Sequence, residues 1–246
     1  MPIEFVGESD TSPDAKCPAV WRDETGFYMR GRKVTDPVVL ARLARDNEPG
    51  ADEETVWLPD HMATIVAEAA TGQFEPGRSG HGPVTLLDML EAAKSSAFHL
   101  EMRDVYDTSH PGFQDWLAGG SGLYDRSGWE KLVRDAVGRG VRMRRVRIVS
   151  EPVTDYIRWE HLLTEQNIEF GEDVRWLPRR KAFDLLLPGS DLWLIDNRIV
   201  EFNFCTGEGV DTEEELFTSE PEMVGRVMYA CERVWERAIP HAEFQV

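Results

Sequence analysis

Lys131, Arg134, Arg139, Arg142, Arg144, Arg145 and Arg147, followed by Arg175, Arg179, Arg180 and Lys181, are a local reversal of sign in an acidic chain. The whole sequence carries 45 Asp and Glu against 27 Lys and Arg. A guanidinium presents a planar fork of donors that grips a carboxylate or phosphate through two parallel hydrogen bonds. If the segments beginning at Val141 and Asp173 are neighbouring strands, several of these forks converge. Two roles then stand open: the arginines hold an anionic ligand or acidic partner, or they pair internally with the surplus carboxylates. A nucleic-acid interface needs a wider basic face with exposed aromatics, so direct binding of DNA or RNA is not expected.

The segment Ser150-Glu151-Pro152-Val153-Thr154-Asp155 follows a predicted strand and opens a predicted helix. Ligands gather at the carboxyl ends of strands in open α/β sheets, and the free amides of a helix N-terminus favour an anion. The plainer role for Ser150 or Thr154 is to cap the helix. Ser150, Glu151, Tyr156, Arg158, Arg179 and Arg180 are therefore candidate ligand-binding residues. Asp184, Asp191 and Asp196 could in principle hold a metal, but nothing in their spacing demands one, and Asp196-Asn197 is first of all turn chemistry. His99 falls on the polar phase of a strand and His161 on a helix among apolar neighbours, positions of structural histidines. No P-loop, dinucleotide fingerprint or G-x-S-x-G is present, so no cofactor is expected.

The elements that must position these side chains follow from periodicity. Thr71 to Pro83 reads as a linker, rich in Gly and Pro. Residues 15–70 before it form a small α+β module. A hairpin turns at Asp23-Glu24-Thr25-Gly26 between strands Ala19–Trp21 and Phe27–Val34. A helix follows with Thr35 and Asp36 as candidate caps, Pro37 in its first turn and an apolar stripe of Val39, Leu40 and Leu43. An acidic loop spans Glu48–Glu54, then a short strand at Val56–Leu58 and a helix over His61–Ala70.

Residues 84–246 alternate strands and helices, which predicts an α/β fold with a mixed sheet and flanking helices. Capping boxes are expected at Thr85/Asp88, Ser127/Glu130 and Ser219/Glu222. Strands are expected at Phe98–Met102, Val141–Val149 and Asp173–Leu177, and helices at Thr154–Gln166 and from Val224 to Ala238. A hairpin is expected to pair Leu192–Asp196 with Arg198–Phe204.

The stretches HLEMRDVY (99–106), VRIVSEPVTDYIRWEH (146–161), VRWLPRRKAFDLLLPG (174–189) and WERAIPH (235–241) resemble an uncharacterised family widespread in actinomycete genomes. Residues 17–66 resemble small uncharacterised proteins from similar gene neighbourhoods. The order of elements in the second module is also similar to one half of a phospholipase-D-like domain. Active members of that superfamily carry H-x-K-x4-D, the His attacking phosphorus and the Lys steadying the phosphate charge. Asp196 falls where the motif's Asp would stand, which places Gly189 at the His position and Asp191 at the Lys position. No H-x-K occurs in the sequence, so the resemblance implies a catalytically dead domain, of the kind some regulators use to sense small molecules or to dimerise. Asp191 and Asp196 join the candidate ligand-binding residues on this ground.

No run of about 18 apolar residues exists, so no membrane-spanning helix is expected. The polar, acidic stretch Met1–Asp14 is not expected to act as a secretory signal. Cys17, Cys205 and Cys231 have no zinc spacing and read as reduced thiols in a cytoplasm. The net charge of −18 repels bulk DNA and anionic membranes and attracts basic partners. The expectation is a non-catalytic regulatory or interaction protein. Its second module would bind a small anionic ligand or a protein, and its first would mediate docking or dimerisation. A helix-turn-helix regulator is the partner implied by the family resemblance, because members are often found near such genes. Two alternatives stand beside it: an enzyme using Glu151, Asp191, Asp196 and nearby arginines on a phosphorylated or carboxylated substrate, and an acidic decoy covering the basic face of a DNA-binding protein.

Overall fold

Asp23 closes the first hairpin with its side chain. One carboxylate oxygen accepts from the amides of Thr25 and Gly26 at 2.7 and 2.9 Å, and the other accepts from the Tyr28 hydroxyl at 2.6 Å. The hairpin belongs to a computed structural model that describes residues 3–8, 18–74, 85–206 and 210–246. The chain divides into two compact units, Met1–Val84 and Thr85–Val246.

The first unit contains β1 (Glu4–Glu8), β2 (Ala19–Arg22), β3 (Phe27–Arg30), β4 (Arg32–Lys33), α1 (Pro37–Ala44), β5 (Val56–Trp57) and α2 (Ala63–Thr71). β1, β2 and β3 form an antiparallel sheet, to which β1 comes from before residue 15. The expected strand Phe27–Val34 is broken at Gly31. A Cβ there would lie 2.7 Å from the carbonyl oxygen of Trp57, and beyond it β4 leaves to pair with β5. The core is small: Val6, Val20, Met62 and Ala69 are buried, with Leu58, Ile65, Val66 and Phe74 packed against them. Asp36 caps α1 as expected, accepting from the amides of Val38 and Val39, but α1 buries none of its side chains. Only the first four residues of the expected linker are described; they end α2 and place Gly72 in the left-handed region at φ 70°. Cys17 and residues 75–84 lie outside the described residues.

The second unit runs α3 (Leu86–Ala92), β6 (Ser96–Glu101), α4 (Pro111–Leu117), α5 (Ser127–Gly138), β7 (Arg142–Val149), α6 (Asp155–Phe170), β8 (Asp173–Pro178), β9 (Asp191–Ile195), β10 (Ile199–Cys205), β11 (Asp211–Thr218), α7 (Pro221–Arg237) and β12 (Ile239–Pro240). Seven strands form one mixed sheet in the order β11-β10-β9-β6-β7-β8-β12. The pairs β6–β7 and β7–β8 are parallel and the rest antiparallel. The two layers of core follow from strand alternation. Phe98, Leu100, Val146, Ile148, Leu192 and Leu194 face one way, against Val224, Val227, Cys231 and Val234 of α7. Ala97, Met143, Trp193 and Ile195 face the other way, against Leu90 of α3 and Val133 and Ala136 of α5.

Of the three expected capping boxes, Thr85/Asp88 forms with both reciprocal bonds. Ser127 instead is the first residue of α5, its amide held by Asp125 at 2.9 Å. Glu220 rather than Ser219 caps α7, accepting from the amide of Met223, because Pro221 fixes the first helical position one residue later. Asp196 and Asn197 take φ values of 52° and 54°, the two successive left-handed residues of a tight β9–β10 hairpin turn. β11 was not expected. Its acidic sequence DTEEELFT hides a strand that pairs along β10 with a register shift between Asn203 and Cys205.

Candidate functional site

β7 and β8 are neighbours, so the arginines converge as the sequence allows, and inside the fold they meet carboxylates. Arg144 points to the α7 face. There it bonds Glu232 at 2.7 Å and lies over the rings of Phe98 and Trp235, 5.0 Å from each centroid. Arg145 and Arg147 point to the opposite face, each 6% exposed. Arg145 bridges Glu101 at 2.5 Å and Glu172 at 2.8 Å. Arg147 donates to Glu101 and to the Thr164 hydroxyl. Glu172 also accepts from the indole of Trp129 and the amide of Asn167. Burial opposes every one of these charges, yet Arg147 and Arg145 hold the Glu101 carboxyl far below its ordinary value, and Glu172 and Glu101 raise the Arg145 guanidinium. His99 stacks on Trp193 at 4.1 Å beside Glu101; burial, with Arg145, pushes its imidazole down to about 3, so it is neutral. Lys131 and Arg134 pair one turn away with Asp135 and Glu130, and Arg175 lies 3.9 Å over Trp235.

Glu160 is the network's outlier. One of its oxygens, Oε2, is buried without a hydrogen-bond partner, 3.6 Å from Arg147 Nε. Burial raises its carboxyl from 4.5 to about 7, against the pull of Arg147. The folded protein therefore keeps a proton there that the unfolded chain has released, and this contribution to stability falls as pH rises from 4.5 to about 7. Glu160→Gln removes that titration. Denaturant midpoints measured across this window should show the variant gaining on the parent as pH rises, and levelling above it.

At the carboxyl ends of β6, β7 and β8, Asp104 accepts from the amide and hydroxyl of Ser150, both at 2.6 Å. Arg179 joins them, donating to Ser150 Oγ at 3.1 Å, Asp104 at 3.2 Å and the carbonyls of Met102 and Ile148 at 2.6 and 3.0 Å. Arg180 pairs with Glu151. Thr154 caps α6 through the amide of Ile157. Tyr156 is buried among Tyr106, Phe113 and Trp159, and Arg158 turns to Asp155 at 3.0 Å. Ser150 and Arg179 thus meet directly and Glu151 meets Arg180, but their charges are already matched. Arg179→Ala should cost about 1–2 kcal/mol, since a half-exposed guanidinium holding three loops is lost, whereas Arg180→Ala, at an exposed guanidinium, should leave stability unchanged. Thermal unfolding of the two variants checks this.

Asp191 and Asp196 stand at opposite ends of β9 and cannot share a ligand. Asp196 accepts from the amides of Lys94, Ser95 and Ser96 and from the Ser95 hydroxyl, fastening the start of β6. Asp191, 6% exposed, accepts from the Met102 amide at 2.7 Å and the Tyr106 hydroxyl. It forms one wall of a cleft of ≈ 170 Å³ whose other walls are Met102, Arg103, Gly189, Ser190, Asn203, Phe204 and Cys205. Sequence reading missed Asp104, Tyr106, Arg103 and Asn203. The first three follow β6 directly, so the rule that directed attention to the Ser150 loop applies equally to them. Among the described residues no group of three His, Cys, Asp or Glu is placed to hold a metal ion, and no helix is long and apolar enough to cross a membrane. Cys231 is buried, which pushes its thiol up to about 12.

The first unit offers a surface instead. On α1, Val38 is 77% exposed, and Val39 and Leu43 are each 43% exposed. The loop that follows presents Asp46, Glu48, Asp52, Glu53 and Glu54, all exposed.

The second unit is thus a mixed α/β layer fold with a seven-stranded sheet, buried ion pairs on its faces and polar groups at both ends of its strands. Residues 85–246 match the family described as Domain of unknown function (DUF6879), and the chain belongs to it. Among solved structures it is similar to NucT from Helicobacter pylori, at 13% identity, covering 63% of this chain and 87% of that one with a TM-score of 0.39. It is also similar to Nuc from Salmonella typhimurium, a phospholipase D family member, at 15% identity over 65% and 88% of the two chains with a TM-score of 0.36. The archaeal chromatin protein TrmBL2 shares 12% identity over 63% of this chain with a TM-score of 0.36, and the match spans 49% of its length. No curated protein matches the sequence.

Proposed function

We propose that the protein is a non-catalytic regulatory or interaction protein of the cytoplasm that docks a basic protein partner on its first unit. The observation that carries this is α1, a capped helix that buries none of its side chains, exposes Val38, Val39 and Leu43, and is followed by a run of exposed carboxylates. An apolar centre with a charged rim is the usual anatomy of a docking surface. With a chain charge of −18, the rim steers a partner of opposite sign. A helix-turn-helix regulator is the partner the family resemblance supplies, and its DNA-binding face is basic. An anion at Arg179 and Arg180 would have to displace Asp104, Ser150 and Glu151, which favours the protein partner over an anionic ligand there.

Native mass spectrometry of the purified chain mixed with such a regulator tests the reading. A stoichiometric complex is expected, weakening with salt. Failure to form one removes the partner assignment. If operator DNA competes for the regulator, the chain acts as an acidic decoy of its DNA-binding face.

A further inference from the structure

The cleft beside Asp191 is built for the opposite charge from the one a phosphate site needs. It opens where three adjacent strands end or begin: β6 just before Met102, β9 at Asp191 and β10 at Cys205. Asp191 and Asn203 face each other across the β9–β10 pair. The β10–β11 register shifts at this lip, between Asn203 and Cys205, and such bulges re-aim side chains beside sites.

Each polar wall has an acceptor to offer. Asp191 is nine-tenths buried, and its hydrogen bonds come from two neutral donors, the Met102 amide and the Tyr106 hydroxyl. Among the described residues it forms no ion pair, and a carboxylate has lone pairs for further donors. Asn203 donates its amide nitrogen to Glu201 at 2.6 Å, which leaves its amide oxygen as the remaining acceptor. Ser190 adds a hydroxyl. The cleft's cation is Arg103, which donates to the Thr206 carbonyl at 2.9 Å and is only partly buried.

From this arrangement we infer that the cleft binds a small aminocarboxylate-type zwitterion, its ammonium on Asp191, Ser190 and Asn203 and its anionic group toward Arg103. An ammonium supplies three donors to three acceptors and gives the buried carboxylate a bonded cation, closer than the Arg103 guanidinium that already favours its charge. A phosphate would meet the Asp191 carboxylate head-on. The site is independent of the docking surface on the first unit. Burial raises the Asp191 carboxyl to about 6, so binding strengthens as pH rises through that value and the ammonium finds an ionised partner.

Calorimetric titration of the full chain with glycine, β-alanine, γ-aminobutyrate, ethylammonium and inorganic phosphate tests the inference. At neutral pH one aminocarboxylate should saturate a single site more tightly than ethylammonium or phosphate, and more tightly than below the Asp191 carboxyl. Asp191→Asn, which keeps an acceptor for Met102 and Tyr106, should weaken it by at least about tenfold. Arg103→Gln, on the rim and safe for folding, should also weaken it while leaving ethylammonium unaffected. Tighter binding of phosphate, no saturable binding of any aminocarboxylate, or an affinity unchanged by Arg103→Gln would overturn it.

Discussion

Glu101→Ala is expected to destabilise the second unit by about 3–5 kcal/mol, the usual cost of removing one partner from a buried ion pair. Arg145 and Arg147 both bond Glu101 on one face of the sheet, and all three residues are at most 8% exposed. Without the carboxylate, Arg145 retains Glu172, but Arg147 is left with Thr164 and the poorly ionised Glu160. Glu101→Gln keeps a hydrogen-bond acceptor and should cost less than alanine. The pH dependence has the opposite sign to that of Glu160. Because Arg147 and Arg145 hold the Glu101 carboxyl below 4.5, its contribution is complete above that value and is lost as pH falls through the folded one. Urea unfolding followed by tryptophan fluorescence, at neutral pH and in acid, checks both statements. A loss under about 1 kcal/mol for Glu101→Ala would show that the three charges are not mutually dependent.

The second large effect concerns binding. Val38→Ala with Leu43→Ala shortens the exposed stripe of α1 while leaving charge unchanged and slightly favouring the helix, since Ala is the better helix former. If these side chains are the apolar centre of the docking surface, the partner's affinity should fall by about 2 kcal/mol or more, roughly thirtyfold in Kd. Stability should stay within about 0.5 kcal/mol, because neither side chain is buried. Binding titrations and thermal melts of the same preparations separate the two readouts.

How much of this was legible in the sequence depended on how local the signal was. Asp36, Thr85 and Thr154 cap the helices they were expected to cap, and Asp196-Asn197 makes its turn. Each rests on chemistry within a few residues. Ser127 and Ser219 misled because Asp125 and Pro221 beside them decide where the helices begin. β11 was hidden because its carboxylates mimic a loop, and only pairing with β10 makes it a strand. The arginines showed the wider limit. The sequence shows that several arginines converge if β7 and β8 are neighbours, but not that Glu101, 44 positions from Arg145 on the adjoining strand β6, receives Arg145 and Arg147. The same holds at the carboxyl ends, where Arg179 reaches Asp104 over 75 positions. A pattern of like charges therefore leaves a binding site and internal pairing both open until parallel strand pairing supplies the counter-charges.

In the proposed function the arginines serve the fold and α1 serves a protein partner. One comparison tests it most directly: the affinity of a helix-turn-helix regulator for the parent chain, for Val38→Ala/Leu43→Ala and for Arg179→Ala/Arg180→Ala, measured side by side on folded protein. The α1 variant is expected to lose most of its affinity and the arginine variant to keep it. Full affinity in the α1 variant, together with loss in the arginine variant, would contradict it and return the functional site to the end of the sheet.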